Sequence, residues 1–311
     1  MQTLHYVPNR SAQLLAGKAA PSIGLITASL TLHAPSQIAA AIKSHASLHQ
    51  LEVAIAMPAQ ADFVALQARL DELRAQHIRG VIVSLPLESA TAERLVQENP
   101  DMACLFLDVS PEADVCCVRF DHRDGCGACV RHLWELGHRE FGLLAGPESS
   151  VSARLRLASW REALHSLNIA RSTTVFGDWS AASGWQKRSS CCICSRGSAR
   201  LWWRTIKWRS ACSARSPSLI AAVAGAVSVT GYDDTADSLY FQPPLTTVAQ
   251  DFDLLGKRAV ERLIALMAAP QLRIRELLPT RLIVRQSAWP AAVAEDQQQT
   301  LAQLKALVEK L

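Results

Sequence analysis

Apolar runs of strand length alternate with amphipathic stretches along the first 187 residues of the chain. The runs, each short enough to be a buried strand, are Ser22–Thr27, Leu51–Met57, Gly80–Leu85, Ala103–Val109 and Phe141–Ala145. The stretches between them that show helical spacing are Ser36–His49, Phe63–Gln76 and Ser152–Leu167. Strands that alternate with helices predict an α/β fold with doubly wound parallel sheets.

The alternation of strand-length runs and helical stretches resumes in the C-terminal part of the chain, at Val227-Ser-Val-Thr-Gly-Tyr-Asp-Asp234. A further helix is predicted because apolar residues recur every three or four positions until Pro270, namely Phe252, Leu255, Ala259, Leu263 and Leu266. The last eleven residues carry a spacing of 3, 4 and 3 in Leu301, Leu304, Val308 and Leu311. This is the seam of a short coiled coil and predicts self-association, with residues 290–299 as a tether. The alternative is a helix that packs on its own domain.

At 311 residues the chain is long enough for two lobes. It shows no signal peptide and no apolar run of the roughly 18 residues that a membrane helix needs. We therefore expect a cytoplasmic protein with no membrane partner, whose nine cysteines are reduced thiols. The net charge is +4, but residues 179–232 hold eight basic residues and no acidic one, so the rest of the chain carries −4. The basic excess is therefore local.

Residues 188–226 differ from the rest of the chain in composition and in the absence of a hydrophobic pattern. They contain four of the nine cysteines and three of the eight tryptophans, with no acidic residue and no usable periodicity. Cys191, Cys192 and Cys194 could suggest a metal site, but no histidine lies between residues 166 and 311 to complete it. The mixture of Arg and Trp could suggest stacking on nucleic acid. A third interpretation is that the segment is translated out of frame.

The genetic code supports the third interpretation. Leu201–Arg209 can be read one nucleotide earlier, with CGN taken for the arginines. The codons then allow Leu, Met or Val, followed by Val, Ala, two residues from Asn, Asp, His and Tyr, Gln or Lys, Met or Val, and Ala. That set includes Val-Ala-Asn-Asp-Gln-Met-Ala. The same shift can turn Cys191–Cys194 into Leu-Leu-His-Leu, which is a plausible helix fragment. We therefore expect two compensating insertions or deletions, near residues 187 and 226.

Long motifs in order give the chain a family resemblance. They are Tyr6-Val-Pro-Asn-Arg10, Ala12-Gln-Leu-Leu-Ala-Gly17, Leu32-His-Ala-Pro-Ser-Gln-Ile38, Leu105-Phe-Leu-Asp-Val-Ser110, Leu144-Ala-Gly-Pro147, Ser149-Ser-Val-Ser-Ala-Arg-Leu-Arg-Leu-Ala158, Gly177-Asp-Trp-Ser180, Gly231-Tyr-Asp-Asp-Thr235, Pro243-Pro-Leu-Thr-Thr247 and Gln250-Asp-Phe252. Together with the sequence obtained in the shifted reading frame, these motifs cover almost the whole chain. The chain resembles the LacI/GalR family of transcriptional regulators.

The resemblance implies a periplasmic-binding-protein-like fold of type I, with two doubly wound lobes and a sugar in the cleft between them. The N-terminal lobe would be residues 21–120 with 252–279, and the C-terminal lobe residues 121–248 with 280–288. Residues 1–20 would be a hinge remnant, and residues 289–311 the tether and the oligomerisation helix. The implied partners are a galactoside-type inducer, operator DNA for the intact family member, and further copies of the chain, from homodimer to homotetramer.

The resemblance also implies the ligand-binding residues. In the second lobe, Arg156 would donate to sugar hydroxyls, Asp233 would accept from a hydroxyl pair, and Ser152 would add a hydrogen bond. Trp179 would form a wall of the pocket and Gln250 would border it. In the first lobe, Asp108 would add a hydrogen bond and Phe252 would form another wall of the pocket. The edge of this lobe would be lined by Leu32, Pro35 and Ile38. Taken alone, Trp179 and Phe252 could be core residues and Arg156 a solvated charge.

The chain also departs from the family pattern. Ala28 stands where the family has a serine near the sugar, and Thr205 stands in the out-of-frame text where the family has a cleft asparagine. Arg204–Arg209 would replace an apolar strand of the second lobe. The family begins with a helix-turn-helix of about 45 residues that reads the major groove, whereas Met1 stands shortly before the hinge. Asn9, Arg10 and Leu15 match the hinge's DNA contacts, and without the head we expect no specific operator binding.

Two other classes of protein remain as alternatives. A periplasmic sugar-binding protein of the same fold predicts a secretory signal and no hinge, and the sequence shows the reverse. An enzyme predicts a phosphate loop, metal cluster or nucleophile elbow, and the sequence shows none of these. We therefore expect no catalytic residues, no cofactor and no metal. Cys126-Gly-Ala-Cys129 has the spacing of a redox pair. Because it stands near the start of a helix in this fold, we interpret the spacing as incidental, without a redox function.

Overall fold

In the computed structural model, the described part of the chain comprises residues 21–180, 182–184, 186–187, 199–202 and 228–291, with backbone alone for 199–202. The chain divides into two units. Unit 1 is Met1–Arg119 with Phe252–Glu276, and unit 2 is Phe120–Asp251 with Leu277–Leu311. The backbone therefore passes between the units three times.

Unit 1 is built on a six-stranded sheet in the order β11-β5-β4-β3-β1-β2. Its strands are β1 (Ser22–Thr27), β2 (Glu52–Ala56), β3 (Gly80–Ser84), β4 (Ala103–Phe106), β5 (Cys117–Phe120) and β11 (Arg275–Leu278). Its helices are α1 (His33–Leu48), α2 (Phe63–Ala75), α3 (Ser89–Glu98) and α6 (Phe252–Ala268). The pairings of β2 with β1, β1 with β3, β3 with β4 and β4 with β5 are all parallel.

The apolar face of α2 is fixed by the spacing of its leucines. Leu66, Leu70 and Leu73 are buried and join the core with Val81, Val83 and Phe106. Asp62 begins the helix because its Oδ1 accepts from the Ala65 amide at 2.8 Å, which satisfies one amide of the first turn. On the other side, α1 packs on α6 at Gly256, where a Cβ would lie 2.5 Å from the Ala41 Cβ.

Unit 2 repeats this architecture with a six-stranded sheet in the order β12-β10-β9-β8-β6-β7. Its strands are β6 (Glu140–Ala145), β7 (Arg171–Phe176), β8 (Ala199–Trp202), β9 (Val229–Tyr232), β10 (Thr246–Ala249) and β12 (Arg281–Ile283). Its helices include α4 (His122–Glu135), α5 (Val151–Ser166) and a short 3-10 helix at Ala236–Leu239, and residues 182–184 and 186–187 are also helical. Phe141 of β6 and Trp160 of α5 meet edge to face in the core, with ring centroids 6.3 Å apart.

The predicted α/β fold with two doubly wound sheets is confirmed, and the predicted strands and helices agree with the observed ones to within a few residues. Two details differ. The pairing of β12 with β10 is antiparallel, as is common for an edge strand added to a parallel sheet. The segment without periodicity contains β8, which pairs with β6 and β9 at residues 199–202, whereas residues 204–209 lie outside the described residues. The residues of β8, Ala-Arg-Leu-Trp, lie in a stretch with no usable periodicity, so the sequence did not predict a strand there.

Candidate functional site

The predicted site residues of unit 2 follow the carboxyl ends of its strands. Trp179 comes three residues after β7, Asp233 directly follows β9, and Gln250 directly follows β10. Arg156 lies on α5, the helix that follows β6. Parallel strands present their carboxyl ends at one edge, and ligands of open α/β sheets bind at that edge. The topology of the sheet therefore explains why residues so distant in the sequence belong to one site.

Arg156 is the centre of this group. Its side chain is 4% exposed, and its Nη2 donates to Gln250 Oε1 at 3.2 Å. The same nitrogen lies 4.0 Å from Asp233 Oδ1, whose side chain is fully buried. The guanidinium carbon lies 4.2 Å from the centre of the Tyr232 ring. A buried guanidinium needs such partners, because an isolated charge would not be tolerated in this environment.

The backbone after β9 is held in an uncommon conformation. Asp233 and Asp234 have φ of 80° and 42°, in the left-handed region that residues with a Cβ seldom occupy. Arg285 holds this turn, since its Nη1 lies 2.7 Å from Asp234 Oδ1 and also donates to the Leu245 carbonyl. Strain of this kind persists only where surrounding contacts fix it, and it is concentrated at functional sites.

Trp179 is half-buried and also has a positive φ, of 72°. The turn before it is fixed by Asp178, whose carboxylate accepts from the Ser180 amide at 2.8 Å. The hydrogen bonds from Ser180 lower the pKa of Asp178, so the acceptor is ionised at neutral pH. The indole lies directly over Gly146, where a Cβ would come within 1.7 Å of Trp179 Cη2. Only glycine leaves room for the ring at this position.

We therefore expect Gly146→Ala to lower the free energy of unfolding by about 1–3 kcal/mol, because the indole must move out of its place. The matched control is Gly127→Ala in α4, where a new Cβ would meet only the flexible end of Arg131, at 3.0 Å. Alanine is favoured in a helix interior by about 0.5–1 kcal/mol, so this control should be neutral or stabilising. Urea unfolding followed by tryptophan fluorescence measures both. A neutral Gly146→Ala would contradict the contact.

Ser152 lies in the first turn of α5. Its hydroxyl is 3.2 Å from that of Ser150, the residue that caps the helix by accepting from the Ala153 amide at 3.4 Å. Ser152 is half-buried. It lies one helical turn before Arg156, and side chains spaced by four residues share a helix face. The predicted polar residues of α5 therefore face the same way.

In unit 1 the predicted residues also lie near carboxyl ends of strands. Asp108 comes two residues after β4, and its carbonyl accepts from the Leu87 amide at 3.0 Å. Leu32, Pro35 and Ile38 are half-buried around the start of α1, which follows β1. Phe252 begins α6 and meets the His33 ring edge to face at 5.9 Å. His33 thus packs against the start of α6.

Several sequence-based predictions fall outside the described residues. These are the hinge contacts Asn9, Arg10 and Leu15, the cleft position Thr205, and the seam residues Leu301, Leu304, Val308 and Leu311. Within the described part of the chain, no group of three or more His, Cys, Asp or Glu residues could hold a metal ion. No described helix is long and apolar enough to cross a membrane.

The Cys126 and Cys129 thiols are both buried in the core of unit 2. Burial raises the pKa of both, to about 12 for Cys129. A reactive thiol needs the opposite shift and an exposed, electropositive setting. The interpretation of this pair as incidental agrees with its environment.

Unit 1 contains a separate cavity of about 230 Å³ at the amino ends of β3 and β4. Two polar residues of its lining, Asn99 and Asp101, already have partners. Asn99 donates to Gln67 and to the Leu95 carbonyl, both at 2.8 Å. Asp101 pairs with Arg74 and Arg79, and the hydrogen bond from Arg74 lowers the pKa of Asp101. The cavity is therefore a weaker candidate than the group around Arg156.

Sequence reasoning missed four residues that shape the site of unit 2. They are His122, Gly146, Tyr232 and Arg285. Gly146 and Tyr232 stood within quoted motifs, but nothing in a single sequence shows that one supports an indole and the other a guanidinium. His122 and Arg285 stood outside every motif, and only the packing shows them.

Chemically, the group in unit 2 combines donors, acceptors and one flat apolar surface. The guanidinium of Arg156 can donate, the carboxylate of Asp233 can accept, and the amide of Gln250 can do both. The half-buried indole of Trp179 offers a ring face. Such a set suits a neutral ligand with several hydroxyl groups and an apolar C–H face.

The chain matches two sequence families. Residues 20–175 match the family described as periplasmic binding proteins and sugar binding domain of LacI family, and residues 130–288 match the family described as periplasmic binding protein-like domain. The lactose operon repressor of Klebsiella pneumoniae is 86% identical over 311 residues, covering all of this chain and 88% of that protein. The lactose operon repressor of Escherichia coli K12 is 40% identical, covering 99% and 88%.

The chain is also similar to solved structures of lac repressors. A lac repressor dimer bound to operator and the anti-inducer ONPF has a TM-score of 0.82 at 39% identity, covering 92% of this chain and 100% of that one. A lac repressor bound to ONPG in the repressed state has a TM-score of 0.83 at 40% identity, covering 93% and 88%.

Proposed function

The chain belongs to the LacI family of transcriptional regulators, and we propose that it is the inducer-binding core of a galactoside-responsive repressor of the lactose-operon type. The proposal rests on the buried group of Arg156, Asp233 and Gln250, with Trp179 after a strand end at the same edge of the sheet. Similar proteins are lactose operon repressors, and one of their structures is bound to ONPG. These homologues are repressors rather than enzymes, so we propose no catalytic role. A regulator that acts on operator DNA works in the cytoplasm.

In this proposal Arg156 donates to ring hydroxyls, Asp233 accepts from a hydroxyl pair, and Ser152 and Gln250 add hydrogen bonds. Trp179 lies against the C–H face of the sugar. The ligand contacts that the family resemblance implies in unit 1, Leu32, Pro35, Ile38, Asp108 and Phe252, stay a prediction. Each hydroxyl exchanges its bonds to water for bonds to groups already held in place, which limits the entropy lost on binding.

We further propose that the chain as it stands binds its inducer weakly, because residues 188–226 are read out of frame. The shifted codons, which yield a family motif at residues 203–209, support an out-of-frame segment. In addition, 86% identity over 311 residues leaves about 44 positions that differ from the Klebsiella pneumoniae repressor. An out-of-frame segment of 39 residues, from 188 to 226, would by itself account for most of a difference of this size.

The relatives also support proposals about partners. One related structure is a dimer on operator DNA, and another is a dimeric form with an 11-residue C-terminal deletion. We propose operator DNA as the partner of the complete regulator, with homodimers that pair into tetramers. The seam of Leu301, Leu304, Val308 and Leu311 would join the dimers.

The inducer site is tested by titrating methyl β-galactoside into the chain, with its frame restored, in a calorimeter. We expect Arg156→Ala to weaken binding by at least about 30-fold, or about 2 kcal/mol, since hydroxyl groups would be left without partners in a dry site. Arg156→Lys keeps the charge and loses the planar fork, so an intermediate loss is expected.

The matched control is Arg154→Ala, two residues away on the same helix. Arg154 is exposed and donates to the Glu148 carbonyl at 2.9 Å. Its removal should change affinity by less than about twofold, in line with most surface substitutions. Thermal unfolding of each variant shows whether the fold is kept. Unchanged affinity in a folded Arg156→Ala protein would show that the site is assigned wrongly.

A further inference from the structure

A buried chain of three side chains lies beneath the proposed inducer site. Tyr232, the last residue of β9, is 5% exposed, and its ring lies 4.2 Å from the Arg156 guanidinium carbon. The Tyr232 hydroxyl is 2.7 Å from Nδ1 of His122, the first residue of α4. His122 is itself buried. Three separate elements, α5, β9 and α4, thus meet through these contacts.

The direction of the Arg156 fork depends on this contact. A guanidinium that lies over an aromatic ring is held by the ring's negative face, and the attraction is strongest where water is excluded. The hydrogen bond from Nη2 to Gln250 Oε1 fixes the rotation of the fork over the ring. A shift of the Tyr232 ring would therefore change the direction in which the remaining N–H groups point.

The hydrogen bond to His122 fixes the ring in turn. Burial raises the pKa of the Tyr232 phenol well above its ordinary value, so the hydroxyl stays neutral and keeps its proton for hydrogen bonding. A phenol ring without that bond could slide or tilt, because the sp² torsion of tyrosine is broad. The bond to the start of α4 removes this freedom.

We propose that Tyr232 and His122 are positioning residues that aim the Arg156 guanidinium at the inducer and thereby set the affinity for galactosides. The proposal rests on the proposed function of the site. Neither residue needs to touch the sugar. Their effect on binding passes through Arg156, and this is what separates the proposal from a general role in the core.

A double-mutant cycle tests this separation. Methyl β-galactoside is titrated into the chain as it stands and into the frame-restored chain, and the cycle is measured in the one that binds more tightly. Tyr232→Phe keeps the ring and loses the hydroxyl, and should weaken binding about threefold to tenfold. Tyr232→Leu loses the ring as well, and should weaken it at least about 30-fold. His122→Gln should resemble Tyr232→Phe, since both break the same hydrogen bond.

The decisive measurement repeats these variants with Arg156→Ala. If Tyr232 and His122 act through Arg156, they change affinity less than twofold in that background, whereas independent sites would give additive losses. Additive losses, or unchanged affinity in Tyr232→Phe and His122→Gln, overturn the proposal. If Tyr232→Leu unfolds, the two milder variants complete the cycle. If Arg156→Ala itself leaves affinity unchanged, the proposed function fails, and this outcome is distinct from the first two.

Discussion

Restoring the reading frame through residues 188–226 is expected to strengthen binding of methyl β-galactoside at least about tenfold. In the shifted frame the codons allow an asparagine, the residue that the family resemblance implies, at the position now held by Thr205. The loss of one buried hydrogen-bonding group to a ligand costs about 1–3 kcal/mol, and each 1.4 kcal/mol is a factor of ten in affinity. Calorimetry on the two chains, purified in parallel, gives the comparison.

The topology of unit 2 gives a second reason for this effect. Strand β8 lies between β9 and β6, in the interior of the sheet. Interior strands of parallel sheets are usually apolar throughout, because both faces are covered, yet this strand reads Ala-Arg-Leu-Trp. Asp233 follows β9, a direct neighbour of β8. A change in β8 therefore bears on the strand that carries a proposed ligand residue.

Frame restoration should accordingly also raise the midpoint of thermal unfolding. A frame-restored chain with Arg156→Ala serves as the control, because it should recover stability without recovering affinity. Equal affinity in the original and restored chains would contradict the out-of-frame interpretation. It would then leave the segment's cysteines and tryptophans in need of another explanation.

The α/β architecture could be predicted from the periodicity of apolar residues. Strands and helices of both units must bury apolar side chains, and this requirement leaves a regular pattern in the sequence. Runs such as Gly80–Ser84 are buried at every residue, so their sequence is almost entirely apolar and is easily recognised. Helix α2 buries Leu66, Leu70 and Leu73 on one face, which is the pattern that the sequence displays. Strand β8 was harder to predict because it lies in the segment without periodicity, and β12 because it has only three residues.

The residues of the candidate site could be predicted from the sequence only where they lay within a family motif. Arg156 and Asp233 were found through long family motifs, and no composition or spacing rule distinguishes them from other Arg and Asp residues. The contacts that give Arg156 its environment come from Tyr232 on β9 and Gln250 after β10. These contacts join positions 76 and 94 residues away along the chain from Arg156, so they follow from sheet topology rather than from local sequence.

Deleting residues 300–311 is expected to convert a tetramer of the frame-restored chain into a dimer. The spacing of Leu301, Leu304, Val308 and Leu311 places one apolar stripe along a helix, and a protein in water must cover such a stripe. A related lac repressor with an 11-residue C-terminal deletion is dimeric, which supports the same expectation here. Sedimentation velocity measures the change, with the mass of the particle falling by half.

A seam this short cannot associate strongly by itself. Isolated helices below about 12–15 residues are marginal in water, so pairing must be favoured by the local concentration that a dimer provides. A point variant separates the seam from its surroundings. Leu304→Glu places a charge in the stripe and should give dimers, whereas Gln303→Ala changes a neighbouring polar position and should leave tetramers. If the full chain, the deletion and Leu304→Glu all sediment as dimers, the leucines pack on their own unit and the seam joins no copies.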